Sequence, residues 1–599
     1  MASVRVQVRR GTYYDSVVLM QLQRALLALP SVLDAGVVMG TEANKDLLRQ
    51  SGLFAPDADA ARAEDLIVAV KAETEAAADA ALAQVDDLST RRRAAEEGLD
   101  TFHPRSLESA AQQLPHAKWV LVSVPGRYAA GVARDALRLG RNVFLYSDNV
   151  PQANEISLKQ MARQNGLLVL GPDCGTAIIN GACLGFANRV RRGAIGVVGA
   201  SGTGLQAITV RIHELGAGVS HAIGTGTHDL SDAVGAVSTR QALALLNKDS
   251  ETAVIVLVSK PPSPGAASKV LHVLRNSPKP VVIDFIGYIP RFTHDRGLHF
   301  ARTLSEAAEM AVKLVPALPS FPSSSSTVAL SQLLPLAPSQ RYLRGLYSGG
   351  TLAFEAQLVL RDYIGPVHSN APLEPADRLT SPALSQGHTI LDLGADEFTV
   401  GRLHPMLDHG LRVRRLAQEA DDPEVAIILL DVVLGYGAHP DPAGSLQPAI
   451  AQARERAQAA GRDLEVIAVV VGTDQDPQDY ASQVRRLQQA GARVESDHAA
   501  AVRYAGMRAQ QLDKHARITP LAQQDLAAED LTKEATADEL PVPPSLEVLH
   551  EPFAAINVGL ESFYASLEQQ GVPVVQVDWR PPAGGNEKLM AALEKLKSK

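Results

Sequence analysis

Residues 193–207 read Gly-Ala-Ile-Gly-Val-Val-Gly-Ala-Ser-Gly-Thr-Gly-Leu-Gln-Ala. An aliphatic run gives way to Ser201, Gly202, Thr203 and Gly204, and an apolar-periodic segment follows. That is the pattern of a buried strand, a small-residue turn and a helix. Residues 345–356, Gly-Leu-Tyr-Ser-Gly-Gly-Thr-Leu-Ala-Phe-Glu-Ala, repeat it. Further aliphatic strands follow each copy, at 253–258 and 280–286 after the first and at 389–392, 425–430 and 466–471 after the second. Two copies of one α/β domain that handles phosphates or nucleotides are the economical reading.

Upstream of this pair, residues 119–124, 143–146 and 167–170 are short aliphatic runs, with helical spacing at 129–139 and 157–164. Buried parallel strands have this look. Nearer the start, strand-like 4–9, 32–39 and 66–70 alternate with helical 15–29, 44–50 and 73–88, which predicts a small ferredoxin-like α+β unit. The basic run 91–93 reads as a solvated helix end. The expected fold class is α/β with several domains: a small α+β domain (1–95), a truncated Rossmann-like domain (96–190), a flavodoxin-like domain (191–318), a Pro/Ser-rich linker (319–340) and a second flavodoxin-like domain (341–506). A connector (507–552) and a strand–helix–strand tail (553–599) follow. An orphan tail of that kind must bury its faces on something.

The chain has 599 residues, of which 46% are hydrophobic and 21% charged, so it is not a disordered chain. Its net charge is −9, so no bulk positive field attracts nucleic acid, and any anion site must be local. The two cysteines, Cys174 and Cys183, do not make a disulfide framework. The first residues lack the apolar run of a signal peptide, and no stretch has the apolar length of a membrane span. A cytoplasmic protein with no membrane partner is expected.

Ser201, Gly202, Thr203 and Gly204 lie where the first four N–H groups of a helix lack partners and the helix dipole is positive. Small residues let an anion reach that backbone, and Ser201 and Thr203 add hydroxyls. Ordinary capping of a βα turn is the alternative, but three glycines and two hydroxyls exceed what one cap requires. No Walker lysine follows, so this is not a P-loop. Ser348, Gly349, Gly350 and Thr351 make the same case in the second copy. Two such helix starts facing one anion would hold a phosphate without bulk positive charge. Asp173 and Cys174 sit in Gly171-Pro-Asp-Cys-Gly-Thr176 at a strand end, where ligands collect in open α/β sheets. No base for Cys174 can be named from sequence, and a loop shaped for packing or ligand contact is the main reading. His228 and Asp229 lie in a Gly-rich loop, with a solvated turn as the alternative. His299 stands between apolar residues, where a satisfied, partly buried histidine is the commoner outcome. Acidic turns at Asp392–Glu397 and Asp431 suit a cation, a substrate amide or helix capping.

At these motifs the chain resembles the succinyl-CoA synthetase superfamily and, within it, the FdrA family, over nearly its whole length. Residues 170–179 resemble the α subunit's Gly-Pro-Asn-Cys loop, with Asp173 in place of Asn. Residues 196–207 resemble the start of that subunit's phosphate-facing helix, and 345–500 resemble the C-terminal ligase domain of the β subunit. The tail at 556–561 and 577–585 resembles the opening of a protein that accompanies FdrA in its operon. The resemblance implies a CoA-binding-type Rossmann domain followed by two succinyl-CoA-synthetase-type domains. Against the ligase pattern, no Gly-rich CoA turn opens the first domain, no ATP-grasp domain is found, and the counterpart of the phosphorylated histidine, His299, lacks small neighbours. CoA binding is therefore in doubt, and no other cofactor is expected.

What the FdrA resemblance implies is a subunit of oxamate carbamoyltransferase, which exchanges carbamoyl phosphate and oxamate with oxalurate and phosphate in allantoin or purine breakdown. The expected ligand is phosphate or carbamoyl phosphate between the two helix starts, with His299 as a donor or base. The alternatives are an ADP-forming acyl-CoA synthetase working with a separate nucleotide subunit, or a non-catalytic scaffold. Other subunits of a complex, or further copies of this chain, are the expected partners.

Overall fold

The computed structural model describes residues 3–10, 16–88 with short gaps, 103–288, 294–316 except 296, 336–399, 403–512 and 544–581. The basic run 91–93, most of the linker and residues 513–543 of the connector lie outside the described residues.

The small N-terminal domain holds β1 (Ser3–Arg9), β2 (Val32–Met39) and β3 (Leu66–Ala72), all antiparallel in the order β1-β3-β2. Strand β3 is central and is buried along nearly its whole length. Helices Ser16–Leu27 and Glu75–Ala83 lie close to the sheet, and Leu22, Leu26, Val37, Val68 and Val70 fill one core. Leu48, Leu53, Ala58 and Ile67 form a second core.

Strands β4 (Trp119–Val122), β5 (Asn142–Leu145) and β6 (Val169–Leu170) are parallel and pair in sequence order. The chain then enters an eight-stranded sheet: β7 (Thr176–Ile179), β8 (Ala182–Gly185), β9 (Arg192–Ala200), β10 (Val219–Gly224), β11 (Val254–Ser259), β12 (Val281–Phe285), β13 (His294–Asp295) and β14 (Leu298–Phe300). Its order is β13-β14-β12-β11-β9-β10-β7-β8. The β7–β8 hairpin, expected in the preceding domain, thus belongs to this sheet, because β7 pairs antiparallel with β10. Its turn, Asn180-Gly181, has positive φ at both residues, as a tight hairpin requires.

The third sheet comprises β15 (Tyr342–Tyr347), β16 (Val367–Ser369), β17 (His388–Asp392), β18 (Val425–Val433), β19 (Glu465–Val471) and β20 (Arg493–Glu495), in the order β16-β17-β15-β18-β19-β20. The parallel series β10-β9-β11-β12-β14 and β17-β15-β18-β19-β20 have one topology, with the chain switching direction across the sheet at β9 and at β15. The internal repeat is therefore a repeat of fold. The two units share one core: Leu205, Ile208, Leu352, Ala356, Val502 and Tyr504 belong to a single buried cluster.

The tail corrects the expectation of a truncated Rossmann-like domain with an orphan appendage. Strands β21 (Ala555–Val558) and β22 (Val574–Val577) return to the first parallel sheet, giving the order β22-β21-β4-β5-β6. Val558 aligns with Val122, and Ile556 with Val120. The chain's end thus supplies the fourth and fifth strands of a five-stranded doubly wound sheet that switches direction between β4 and β21.

Candidate functional site

Helix Gly202–Glu214 follows β9, and helix Gly350–Leu360 follows β15. Ser201 caps the first: its Oγ accepts from the Gly204 N–H at 3.1 Å. The two helix starts meet. Ser201 Oγ and Thr351 Oγ1 are 2.6 Å apart across the domain boundary. A Cβ on Gly349 would lie 2.8 Å from Thr203 Cβ and 2.5 Å from its Oγ1, so only glycine permits this approach. Two hydroxyls sharing one hydrogen bond keep a second proton for another acceptor.

Two charged side chains border the second helix start. A Cβ on Gly350 would lie 3.1 Å from Lys260 Nζ and against Asp392 Oδ2. Lys260 directly follows the carboxyl end of β11, and Asp392 ends β17. Burial raises the Asp392 carboxyl above the usual carboxylate range, and Lys260 opposes that shift. The site therefore joins two sets of helix N–H groups, a hydroxyl pair and one cation.

Three further carboxylates from separate stretches of the chain act on one another's charge, and Asp173 lies two residues before Gly175, whose Cα would be 3.8 Å from a Cβ on Gly202, so they form an acidic rim beside the first helix start. Asp148 follows β5, Asp173 follows β6, and Asp396 begins the short helix Asp396–Thr399. Asp173 is reached by solvent but crowded by protein, and that desolvation, with Asp148 and Asp396 adding repulsion, pushes it up to about 6. A hydrogen bond from Thr227 and the nearby His228 oppose the shift. Burial, then Asp396, raises Asp148 as well. As pH falls through about 6, Asp173 takes a proton and the rim loses a negative charge. Sulfate, a dianion throughout this range, is expected to bind about tenfold tighter at pH 5 than at pH 7. Asp173→Asn should flatten that profile in calorimetric titrations, and a slope that survives the substitution refutes the assignment.

The other residues singled out from sequence behave differently. Ser348 does not serve the cradle: its N–H and Oγ donate to Asp431 at 2.9 and 2.8 Å, and Arg412 donates to the same carboxylate at 2.9 Å. Cys174 is buried and its thiol is pushed up to about 12, chiefly by desolvation, so it is a packing residue. Asp229 is buried and fully engaged. It accepts from Lys159 Nζ at 2.6 Å, from the Thr239 N–H at 2.8 Å and from Thr239 Oγ1 at 2.6 Å. Lys159 also donates to Glu155 at 2.8 Å, and this buried triad ties the first parallel-sheet domain to the second. Exposed His228 stands 3.8 Å from the second oxygen of Glu155. His299 lies outside the site. It pairs with Val282, which aligns with Val256 and then Val197, four residues before Ser201 and three strands away. That places it roughly 14 Å sideways and roughly 13 Å back along the strands from the first helix start.

Two nearby residues had no motif to announce them. Lys260 has a positional signal, the first residue past a buried parallel strand. His404 has none: it reaches the second helix start from the loop before helix Gly410–Asp421.

Family comparisons agree with this architecture. A CoA binding domain model matches residues 190–287, a CoA-ligase model matches 346–508, and a model described as AllF, heavy metal-associated domain, matches 1–103. The uncharacterized protein YahF of Escherichia coli K12 is 42% identical over 492 residues, which is 82% of this chain and 95% of YahF. The chain belongs to the FdrA family. More distantly, this FdrA-family chain is 27% identical over 178 residues to the α subunit of malate–CoA ligase from Methylorubrum extorquens, covering 28% of this chain and 57% of that one. It is also 28% identical over 182 residues to the α subunit of an ADP-forming succinate–CoA ligase from Archaeoglobus fulgidus, covering 30% and 60%. It is thus a succinyl-CoA-synthetase-like protein with CoA-binding-type and CoA-ligase-type domains. Among the described residues, no helix is long and apolar enough to cross a membrane.

One group implied by these names does not fit the residues present. Residues 1–103 contain no cysteine and a single histidine, His103, so they offer no thiolate set for a heavy metal. In the first parallel sheet, outside the residues that the CoA binding domain model matches, the loops at the direction switch between β4 and β21 are held together by the Leu560 N–H donating to Ser123 Oγ at 2.8 Å. A Cβ on Gly559 would lie 2.5 Å from that oxygen.

Proposed function

We propose that the cleft between the two helix starts binds a small acyl phosphate and catalyses acyl transfer of the acid–thiol ligase type. The observation that carries this reading is the meeting of Ser201 and Thr351 at 2.6 Å, which aims two helix N-termini at one place, with Lys260 beside them. In the forward step the acceptor forms a bond to the acyl carbon, the bond from that carbon to the phosphate oxygen breaks, phosphate leaves with the electron pair, and the acceptor's proton passes to the departing phosphate. The N–H groups of Gly202, Thr203, Gly350 and Thr351 and the Lys260 ammonium stabilise that departing charge. Charge-assisted hydrogen bonds contribute about 1.5–3 kcal/mol each. The family comparisons support a ligase-type use of this site, with the thiol of coenzyme A as acceptor.

A second reading, carbamoyl transfer, is favoured by the acidic rim. Asp148, Asp173 and Asp396 can accept hydrogen bonds from a carbamoyl NH2, donors that a simple acyl group lacks. Carbamoyl transfer also needs no phosphorylated histidine, and His299 is distant.

Phosphate release from acetyl phosphate with coenzyme A, set beside release from carbamoyl phosphate with oxamate, separates the two. Gly202→Val is the site control. A Cβ there meets only Thr176 Oγ1 at 3.6 Å and Gly175 Cα at 3.8 Å, so the fold accepts it while the added methyls crowd the first cradle. Turnover should fall at least tenfold with whichever substrate is used. Unchanged turnover would remove that cradle from the mechanism.

A further inference from the structure

We propose that His404 is a neutral hydrogen-bond donor to the bound phosphorylated substrate, contributing its Nε2–H at the second helix start. The inference rests on the acyl-phosphate reading above and adds a residue to it.

The placement is specific. His404 Nε2 lies 3.0 Å from where a Cβ on Gly394 would stand, a point that is also 2.7 Å from the Ser348 carbonyl oxygen and 3.3 Å from Asp392 Oδ1. Gly394 thus leaves the space through which the imidazole approaches the turn leading into Gly350. Among the described residues Nε2 has no hydrogen-bond partner, although the rest of the ring is held on two sides. The Met406 N–H donates to Nδ1 at 3.3 Å. The ring packs on Phe186, with centroids 5.2 Å apart, and Phe186 in turn packs on Tyr146. A buried aromatic wall therefore fixes the plane of the imidazole, and the Met406 bond fixes its tautomer: Nδ1 accepts, so Nε2 carries the proton.

The charge state agrees. Burial, with the Arg412 guanidinium adding to it, lowers His404 to about 4, so the ring is neutral at physiological pH. Arg412 is the charged group that acts on it, and Asp392 Oδ1 lies beside the same Gly394 position. Arg412 is committed to Asp431 and to the Leu346 carbonyl oxygen. A neutral imidazole of this tautomer donates a hydrogen bond without adding charge. It is also a poor phosphoryl carrier, because the lone pair that would attack phosphorus is the one on Nδ1 that Met406 occupies. His404 is thus a donor to substrate and does not replace the distant His299 as a phosphorylated residue.

The test uses the full chain, with inorganic phosphate and acetyl phosphate as probes. His404→Phe keeps the packing on Phe186 and removes the N–H. His404→Gln keeps an N–H near the same place. Affinity for both probes is expected to fall about tenfold in the Phe variant and to stay within about threefold of wild type in the Gln variant, with melting temperatures unchanged. The 15N shifts of His404 should report the Nε2–H tautomer and show no titration between pH 5.5 and 8. Wild-type affinity in the Phe variant, or an Nδ1–H tautomer, overturns the assignment while leaving the acyl-phosphate site standing, provided Gly202→Val still loses binding. A wild-type protein that binds neither probe overturns both.

Discussion

Gly349→Val is expected to cost at least a hundredfold in phosphate affinity and in turnover, while the protein stays folded. The side chain it introduces has nowhere to go. Its Cβ would stand 2.8 Å from Thr203 Cβ and closer still to the methyl, distances that real Cβ atoms do not adopt. Thr203 cannot yield easily, since it is buried in the first turn of its helix and is β-branched. The helix starts must separate. Ser201 and Thr351 then lose their contact, and the two sets of N–H groups cease to point at one anion. Losing two charge-assisted hydrogen bonds at about 1.5–3 kcal/mol each amounts to a hundredfold or more. Overpacking costs roughly 1–3 kcal/mol of stability, which a chain with this much buried surface tolerates. Calorimetric titration with phosphate, run beside a thermal melt, checks both halves. Undiminished affinity would mean that the convergence of the helices is structural only. The contrast with Gly202→Val is informative, because that residue is free of the packing constraint: Gly202 tests access to the cradle, and Gly349 tests the alignment of its two halves.

What the sequence conveys tracks how local each feature is. Strands β9, β11, β12, β15, β18 and β19 each carry an aliphatic stretch, although Asp284, Arg344 and Asp431 interrupt β12, β15 and β18, and are legible as buried parallel strands. Strand β10 is less so, because Ser220 and His221 interrupt it, and both are fully buried inside the sheet. His221 is accommodated by accepting the Asn180 N–H at 3.1 Å, a cross-strand partner that no local pattern announces. The hairpin β7–β8 carries a signal, the Asn180-Gly181 pair, that names its turn but not its neighbours: a domain boundary at 190 leaves it with the preceding sheet, whereas β7 pairs with β10. The helix starts at Ser201 and Gly350 are legible because capping is a property of adjacent residues. Their meeting is a matter of packing between domains. The same distinction explains His299 and His404. The first stands out by its neighbours and a family resemblance, but strand register places it three strands away and four residues back from the first helix start. The second enters the site only because Phe186 and Gly394, 208 positions apart in sequence, form the slot that holds it. Asp431 reads in sequence as an acidic strand end, and only the fold shows it holding Ser348 and Arg412.

A chain ending at residue 544 is expected to lose its first parallel-sheet domain outright. Strand β21 is not an ornament on an existing edge. It lies between β4 and β22, so its removal strips one side of β4 of every ladder bond. The segment removed also carries Leu549, Ile556, Val558, Phe563, Leu567 and Val577, each almost wholly buried. At about 1.5–3 kcal/mol for each such side chain, their loss amounts to roughly 9–18 kcal/mol, as large as the entire stability of an ordinary domain. Trp119 provides the readout. It is 1% exposed and stacks on Phe553 with ring centroids 6.0 Å apart. The only other tryptophan, Trp579, leaves with the tail, so fluorescence of the shortened chain reports Trp119 alone. Its emission should shift to the red, as for an indole in water. Adding residues 545–599 as a separate polypeptide should restore the blue emission, since strand pairing requires proximity and not covalent continuity. The consequence reaches the site. Asp148 and Tyr146 belong to this domain, and Tyr146 packs on Phe186 and on Phe563 of the tail, so an unfolded first sheet removes one side of the rim and the support behind His404. A red-shifted Trp119 together with loss of phosphate affinity in the shortened chain, both reversed on adding the tail, would show that the end of the sequence is an internal component of the domain that opens the cleft. Native emission from the shortened chain would instead show that β4, β5 and β6 fold without their fourth and fifth strands.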